Sequence, residues 1–172
     1  MASVFGHGMV AYTISRVSSE KVSKGLVVLA MISAILPDID VLAFKFGIPY
    51  EHMFGHRGFT HSILFAVVWA IGLSLLFGKK TKLLYAIVLF LSTISHGILD
   101  AMTSGGRGVG FFIPFVNERY FFSFRGIKVS PIGIDKFFSK WGAEVILSEL
   151  KYIVIPCIII LISFYLKRSY FK

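Results

Sequence analysis

The feature that most constrains this chain is a series of apolar runs separated by short basic turns. Three runs are clearest, at residues 62–77, 83–102 and 152–166. A helix needs roughly 17 to 25 predominantly apolar residues to cross a bilayer, so the first two runs predict transmembrane helices. The third is long enough if it begins near Val145. Hydrophobic residues make up 56% of the 172 positions, above the roughly 45 to 50% of ordinary soluble domains.

Two weaker runs and one long polar segment complete the pattern. Residues 26–36 are apolar and continue at 41–44 after a Pro-Asp interruption, and residues 4–14 form the weakest candidate span. Residues 103–142 are rich in Gly, Phe, Arg and Lys, a mixture that suits the lipid headgroup region. The sequence therefore predicts an all-α integral membrane bundle of about four to five short transmembrane helices with a long aromatic and basic interfacial loop. We expect one domain over residues 1–172.

The positive charges indicate a membrane orientation rather than a nucleic-acid partner. The net charge is +9, but the cations mostly flank apolar runs and form no basic stripe, so no nucleic-acid binding is expected. Short basic turns face the cytoplasm, which predicts a cytoplasmic position for Arg16, Lys21, Lys24, Lys79, Lys80, Lys82, Lys167, Arg168 and Lys172. With five spans in the cell (inner or cytoplasmic) membrane, the His and Asp motifs then emerge on the extracytoplasmic side.

The few Asp and His residues gather in three motifs. The chain has four Asp and five His, and six of these nine lie in PDID at 37–40, HRGFTHS at 56–62 and SHGILD at 95–100. His96 and Asp100 are four apart and share a helix face. Pro37 disfavours a continuous helix, so we expect an extended or turn backbone at 37–40. Imidazole and carboxylate together suit zinc, manganese or iron, whereas Cys157 is the only cysteine.

Each feature also has a purely structural interpretation. His96 and Asp100 could form only an intrahelical hydrogen bond, and Asp38 could be a helix cap. Ionisable groups within membrane segments, however, cost roughly 2.5 to 3.5 kcal/mol each on insertion scales, which favours a shared functional site. Glu149 has no cation among its helical neighbours three and four positions away. It therefore needs a distant partner and is a candidate ligand or general base.

Four arginines are candidates for binding an anionic substrate, because guanidinium pairs with phosphate oxygens through two hydrogen bonds. They are Arg57, Arg107, Arg119 and Arg125. Each could instead extend towards lipid headgroups. Arg57 is the strongest candidate, since it lies between two possible ligands in the HRGFTHS motif.

These motifs, together with YFFSFRGIKVSP at 120–131, resemble the YdjM family of membrane-bound metal-dependent hydrolases. The resemblance covers nearly the whole chain and adds His7 and the Ser148-Glu149-Leu150 segment. That family is distantly similar to zinc-dependent phospholipases C and single-strand nucleases, to whose core Asp38, His61, His96 and Asp100 would correspond. No histidine follows His96, so the resemblance implies one or two metal ions rather than three.

The leading hypothesis is a hydrolase that cleaves a phosphodiester or ester in a lipid or lipid-linked substrate with a metal-activated water. A divalent metal is the expected cofactor, zinc first, with manganese or iron as alternatives. The expected ligands are His7, Asp38, Asp40, His56, His61, His96, Asp100 and Glu149. Asp40 or Glu149 would accept the proton. The alternatives are a divalent metal transporter and a non-catalytic membrane protein whose helices a metal staples together.

Overall fold

The computed structural model describes residues 1–131 and 138–170; Lys172, expected among the cytoplasmic cations, lies outside them. Within these residues the protein is all-helical and contains no strand. Its five helices are α1 (Val4–Ser18), α2 (Lys24–Ile35), α3 (Ile63–Phe77), α4 (Lys82–Ala101) and α5 (Lys140–Tyr170). The predicted all-α class is confirmed, and the helix count agrees with the expected four to five.

Three helical stretches are long and apolar enough to cross a membrane. They are Lys24–Phe46, Lys79–Ala101 and Lys140–Tyr170. The shorter apolar helix α3 packs beside α4 as a hairpin closed by a tight turn at Gly78. Small residues line the contacts between α1, α2 and α4, where Ala11, Ala30 and Ala34 are fully buried. Such residues let membrane helices approach closely.

Two helices change geometry close to the polar motifs. After α2 the chain continues as a 3-10 helix, Leu36–Phe46, which ends at Gly47 with a φ of 72°. The extended or turn backbone expected at 37–40 is therefore wrong. Pro37 lies at the start of this segment, where its missing amide hydrogen costs little. In α5 a π-helical turn, Leu150–Val154, ends two residues before Pro156, which cannot donate the ordinary helical hydrogen bond.

The helices place the polar motifs and the short basic turns at opposite ends of the bundle. At one end Arg16 donates to the Tyr165 hydroxyl, and Arg168 donates to the Glu20 carbonyl. At the other end residues 102–131 fold over the mouth of the bundle, and the amide of Gly110 donates to the carbonyl of Arg57 at 2.9 Å. This second end holds the start of α1, the 3-10 helix and the end of α4.

Candidate metal centre

Four side chains from three separate segments converge at the covered end of the bundle. Asp38 comes from the 3-10 helix after α2, His61 from the short turn before α3, and His96 and Asp100 from the last turns of α4. One ligand atom from each lies within 4.8 Å of the others. The side chains of His61, His96 and Asp100 are fully buried. We call these four residues the central cluster.

Hydrogen bonds orient both imidazole rings of the central cluster. Nδ1 of His96 lies 2.7 Å from the carbonyl oxygen of Ala34, which can only accept, so Nδ1 carries the proton. Nε2 of His96 then faces Asp38, with 3.3 Å to Oδ1. Nδ1 of His61 lies 3.1 Å from Oδ2 of Asp40. Burial lowers the pKa of His61, which favours the neutral ring that metals bind.

Several buried polar atoms of the central cluster have no hydrogen-bond partner within the described residues. They are Nε2 of His61, Nε2 of His96 and both carboxylate oxygens of Asp38, whereas Oδ2 of Asp100 lies 2.9 Å from Nε of Arg57. Buried polar atoms are nearly always satisfied, because an unmade hydrogen bond costs free energy. Two imidazole nitrogens and two carboxylates directed at one point are a donor set that fits a divalent zinc-like ion.

His7 lies at the edge of the central cluster. Its ring stacks on the ring of His96, with 3.8 Å between centroids and 12° between planes. Its Nε2 lies 3.5 Å from Oδ1 of Asp100, and neither ring nitrogen forms a hydrogen bond. The N-terminal helix thus brings a third histidine beside the central cluster, but among the described residues His7 belongs to neither group of candidate ligands, and its role as a ligand stays a prediction.

Asp40 and His56 form a second group next to the first. Asp38, Asp40 and His56 also bring ligand atoms within 4.8 Å of one another. Asp40 accepts hydrogen bonds from the Arg57 amide and the Thr60 hydroxyl, and its Oδ1 lies 2.7 Å from Nδ1 of His56. Because Asp40 also contacts Nδ1 of His61, it holds both rings in position, as carboxylates behind metal-binding histidines commonly do.

Glu149 lies in neither group of candidate ligands among the described residues. It is buried, and its two carboxylate oxygens accept hydrogen bonds from the amide and the hydroxyl of Ser3. The distant partner expected for Glu149 is therefore the N-cap of α1. This contact fixes the start of the helix that carries His7.

The four candidate arginines already have partners. Fully buried Arg57 has Nε 2.9 Å from Oδ2 of Asp100 and donates to Thr103 and Gly105. Arg119 donates to the carbonyls of Tyr50, His52 and His56, and Arg125 donates to the carbonyl of Thr103. Exposed Arg107 pairs with Glu51. Among the contacts of the described residues, Arg57 is the one of the four that contacts the central cluster.

Sequence reasoning missed three groups that shape the site. They are the Ala34 carbonyl, which orients His96, the Thr60 hydroxyl, which contacts Asp40, and Ser3, which binds Glu149. Thr60 lies inside the HRGFTHS motif and could have been considered there. A main-chain carbonyl and a serine 146 positions from its partner carry no signal in a single sequence.

Comparison with known proteins agrees with the membrane architecture. A family model described as YdjM inner membrane protein matches residues 1–171. The chain is also 40% identical over 161 residues to the inner membrane protein YbcI of Escherichia coli (strain K12), covering 91% of this chain and 92% of that protein. No solved structure matches the chain. The chain therefore belongs to the YdjM family of inner membrane proteins.

Proposed function

We propose that this protein is a membrane-bound metal-dependent hydrolase. The observation that carries the proposal is the central cluster, in which four buried ligand atoms lie within 4.8 Å of one another and several form no hydrogen bond with any described residue. Asp38, His61, His96 and Asp100 would hold one divalent ion, zinc being the first candidate and manganese or iron the alternatives. Asp38, Asp40 and His56 could hold a second.

The residues around the cluster have distinct roles in this proposal. A divalent ion bound there would lower the pKa of a coordinated water towards neutrality and polarise the bond to be cleaved. Asp40 holds His56 and His61 in orientation through their Nδ1 atoms. Of the two expected proton acceptors, Asp40 is the better placed, because it belongs to a candidate ligand group and contacts His61, whereas Glu149 belongs to neither group among the described residues. Arg57 supplies a buried positive charge beside Asp100.

The substrate we propose is a phosphodiester or ester of a membrane lipid or lipid-linked molecule. His96 and Asp100 lie in the last turns of α4, which is long and apolar enough to span a membrane, and this supports a site near a membrane surface. Large aromatic side chains are exposed at this end, including Phe46 at 79%, Phe115 at 79% and Phe138 at 83%. Aromatic residues concentrate at membrane interfaces, where lipid headgroups are the most accessible substrates.

The first test is the metal content of purified protein. We would measure bound transition metals by elemental mass spectrometry in wild type, His96→Ala and Asp100→Ala, using only variants that elute as folded species. His52→Ala is the matched control, since His52 is exposed and belongs to neither candidate group. The proposal expects about one or two ions per chain in wild type and the control, and loss in the cluster variants.

Activity is the second requirement. Metal-loaded wild type should hydrolyse at least one member of a panel of lipid phosphodiesters and esters, and the cluster variants should not. Wild type that binds no ion, even after incubation with zinc or manganese, would refute the metal-dependent mechanism. Bound metal without hydrolysis of any member of the panel would instead favour a structural metal.

A structural metal is the second candidate function. The central cluster joins the 3-10 helix, the turn before α3 and the end of α4. An ion bound there would hold these three segments together. Under this hypothesis His61→Ala should prevent folding, whereas under the hydrolase hypothesis a folded, inactive protein is expected. A transporter is less well supported, because transport sites lie near the bilayer midplane and this cluster lies at helix ends.

A further inference from the structure

An apolar groove runs along the exposed face of the membrane-spanning stretch Lys24–Phe46. Its volume is about 410 Å³, and its walls are Ile32, Ile35, Leu36, Asp38 and Ile39. Ile32 and Ile39 expose 50% and 54% of their surface. Four of the five lining residues are therefore large hydrocarbons presented outward, and the fifth is a carboxylate of the central cluster.

The groove lies on a stretch that can span the membrane, so we expect lipid to surround it. The groove belongs to Lys24–Phe46, one of the stretches long and apolar enough to cross the bilayer. The outer face of such a segment is in contact with lipid hydrocarbon. Asp38 would be costly to present to hydrocarbon alone, yet about 10% of its side chain is exposed. The groove therefore extends from the lipid phase to the side chain of a candidate metal ligand, whose carboxylate oxygens are themselves buried.

A second cavity lies on another side of the candidate metal centre. It measures about 210 Å³; its lining is mostly apolar, and it also includes the polar groups of Tyr50, His56 and Arg57. Since Nδ1 of His56 is bound to Asp40, Nε2 is the ring nitrogen left for a molecule in this cavity. Asp38 of the groove and His56 of the cavity have ligand atoms within 4.8 Å of each other. The groove and the second cavity therefore lie on two sides of the candidate metal centre.

We propose that the groove binds an acyl chain of the lipid substrate, which enters laterally from the bilayer. The scissile polar group of the lipid would then lie at Asp38, and the rest of the headgroup would extend towards Tyr50 and His56. This inference rests on the proposed hydrolase function and specifies its substrate as an amphipathic lipid with at least one long chain.

The test maps where a lipid chain contacts the protein, without requiring turnover. Full-length protein in nanodiscs would be irradiated with a phospholipid carrying a photoreactive diazirine on its acyl chain, and labelled residues would be located by mass spectrometry. We expect labelling at Ile32, Ile35 and Ile39 to exceed labelling at Ile71 of α3 several-fold. Ile71 is the matched reference, because it is 49% exposed on another lipid-facing helix.

A second experiment fills the groove with a larger side chain. Ile32→Trp and Ile39→Trp, made separately in case one fails to fold, should lower labelling of the remaining groove residues by about tenfold, comparable to losing about two buried methylene groups. Ile71→Trp should leave it unchanged. Equal labelling of the groove and of Ile71, or labelling insensitive to both groove variants, would overturn the inference.

The outcomes separate this inference from the proposed function. Selective groove labelling by a protein that hydrolyses no lipid would support the chain-binding groove while contradicting the hydrolase. Uniform labelling by a protein that binds metal and hydrolyses lipids would support the hydrolase and refute the groove. Metal content of the Trp variants, measured in parallel, should equal that of wild type, since neither isoleucine contributes a ligand.

Discussion

At the scale of single residues, Asp40 acts on the candidate metal centre through its neighbours. It contacts Nδ1 of both His56 and His61 and so fixes which nitrogen of His61 faces the cluster. Removing such a supporting carboxylate typically lowers metal affinity by about 10- to 100-fold. We expect this loss in Asp40→Asn, measured by competition with a chromophoric chelator. Glu20→Gln, at an exposed carboxylate, is the control, and unchanged affinity in Asp40→Asn would assign Asp40 a purely structural role.

Gly106 controls the position of Arg57. Its φ is +86°, and a Cβ there would lie 2.4 Å from Nη1 of Arg57. Gly106→Ala should therefore destabilise the protein by at least about 1 kcal/mol, because the backbone is unsuited to alanine and the guanidinium must shift. Thermal unfolding in detergent measures this change.

Gly72→Ala is the control for Gly106→Ala. Gly72 lies within α3 and has open space around the Cβ position, so alanine there should be neutral or stabilising. Equal midpoints for the two variants would show that the loop at Gly106 does not hold Arg57 in place.

The sequence identified most of the side chains that the structure brings together, but it could not show which candidate ligands lie in the central cluster. Scarcity and spacing selected His61, His96 and Asp100, which all lie in the central cluster. The same reasoning gave Glu149 equal standing, and the structure instead pairs it with Ser3. The difference depends on which helix packs beside which, and a long-range contact of this kind leaves no periodic trace in one sequence.

At the scale of secondary-structure elements, the docking of α1 depends on one serine. The Ser3 hydroxyl accepts from the Gly6 amide as an N-cap and also donates to Glu149. Ser3→Ala should remove both contacts. Loss of an N-cap costs about 1 kcal/mol, and loss of a hydrogen bond to a buried charged group adds about 1.5 to 3 kcal/mol.

Ser23→Ala is the comparison for Ser3→Ala. Ser23 caps α2 by accepting from the Leu26 amide at 3.1 Å, and its other contact is the exposed Tyr85 hydroxyl. Chemical denaturation of both variants should show the larger loss for Ser3→Ala. If the two losses are equal, the contact with Glu149 contributes little to holding α1.

The apolar runs predicted helices because hydrocarbon solvent requires every main-chain group to be bonded within its own segment. That constraint did not specify the helix type. Pro37 was expected to interrupt the helix, and the chain instead continues as a 3-10 helix that places Asp38 and Asp40 on the site. The π-helical turn before Pro156 is a similar case. In both places the sequence shows the proline, but the type of helix that forms next to it depends on packing.

At the scale of the whole molecule, the distribution of charge makes the orientation testable. The tight turns at one end carry Arg16, Lys21, Lys24, Lys79, Lys80 and Lys82, which favours a cytoplasmic position for that end. The opposite end, which holds the central cluster, also carries cations in its long covering segment. Long loops follow the charge rule less strictly, so we propose that the site faces the extracytoplasmic side.

Cysteine labelling in intact cells checks this orientation. The background is Cys157→Ala, which removes the native thiol. Asn117→Cys reports on the end of the bundle that holds the central cluster, and Lys80→Cys reports on the turn between α3 and α4. Both positions are exposed. A membrane-impermeant maleimide should label Asn117→Cys in intact cells and label Lys80→Cys only after permeabilisation. The reverse pattern would place the cluster in the cytoplasm, and its substrate would then have to be a lipid of the inner leaflet.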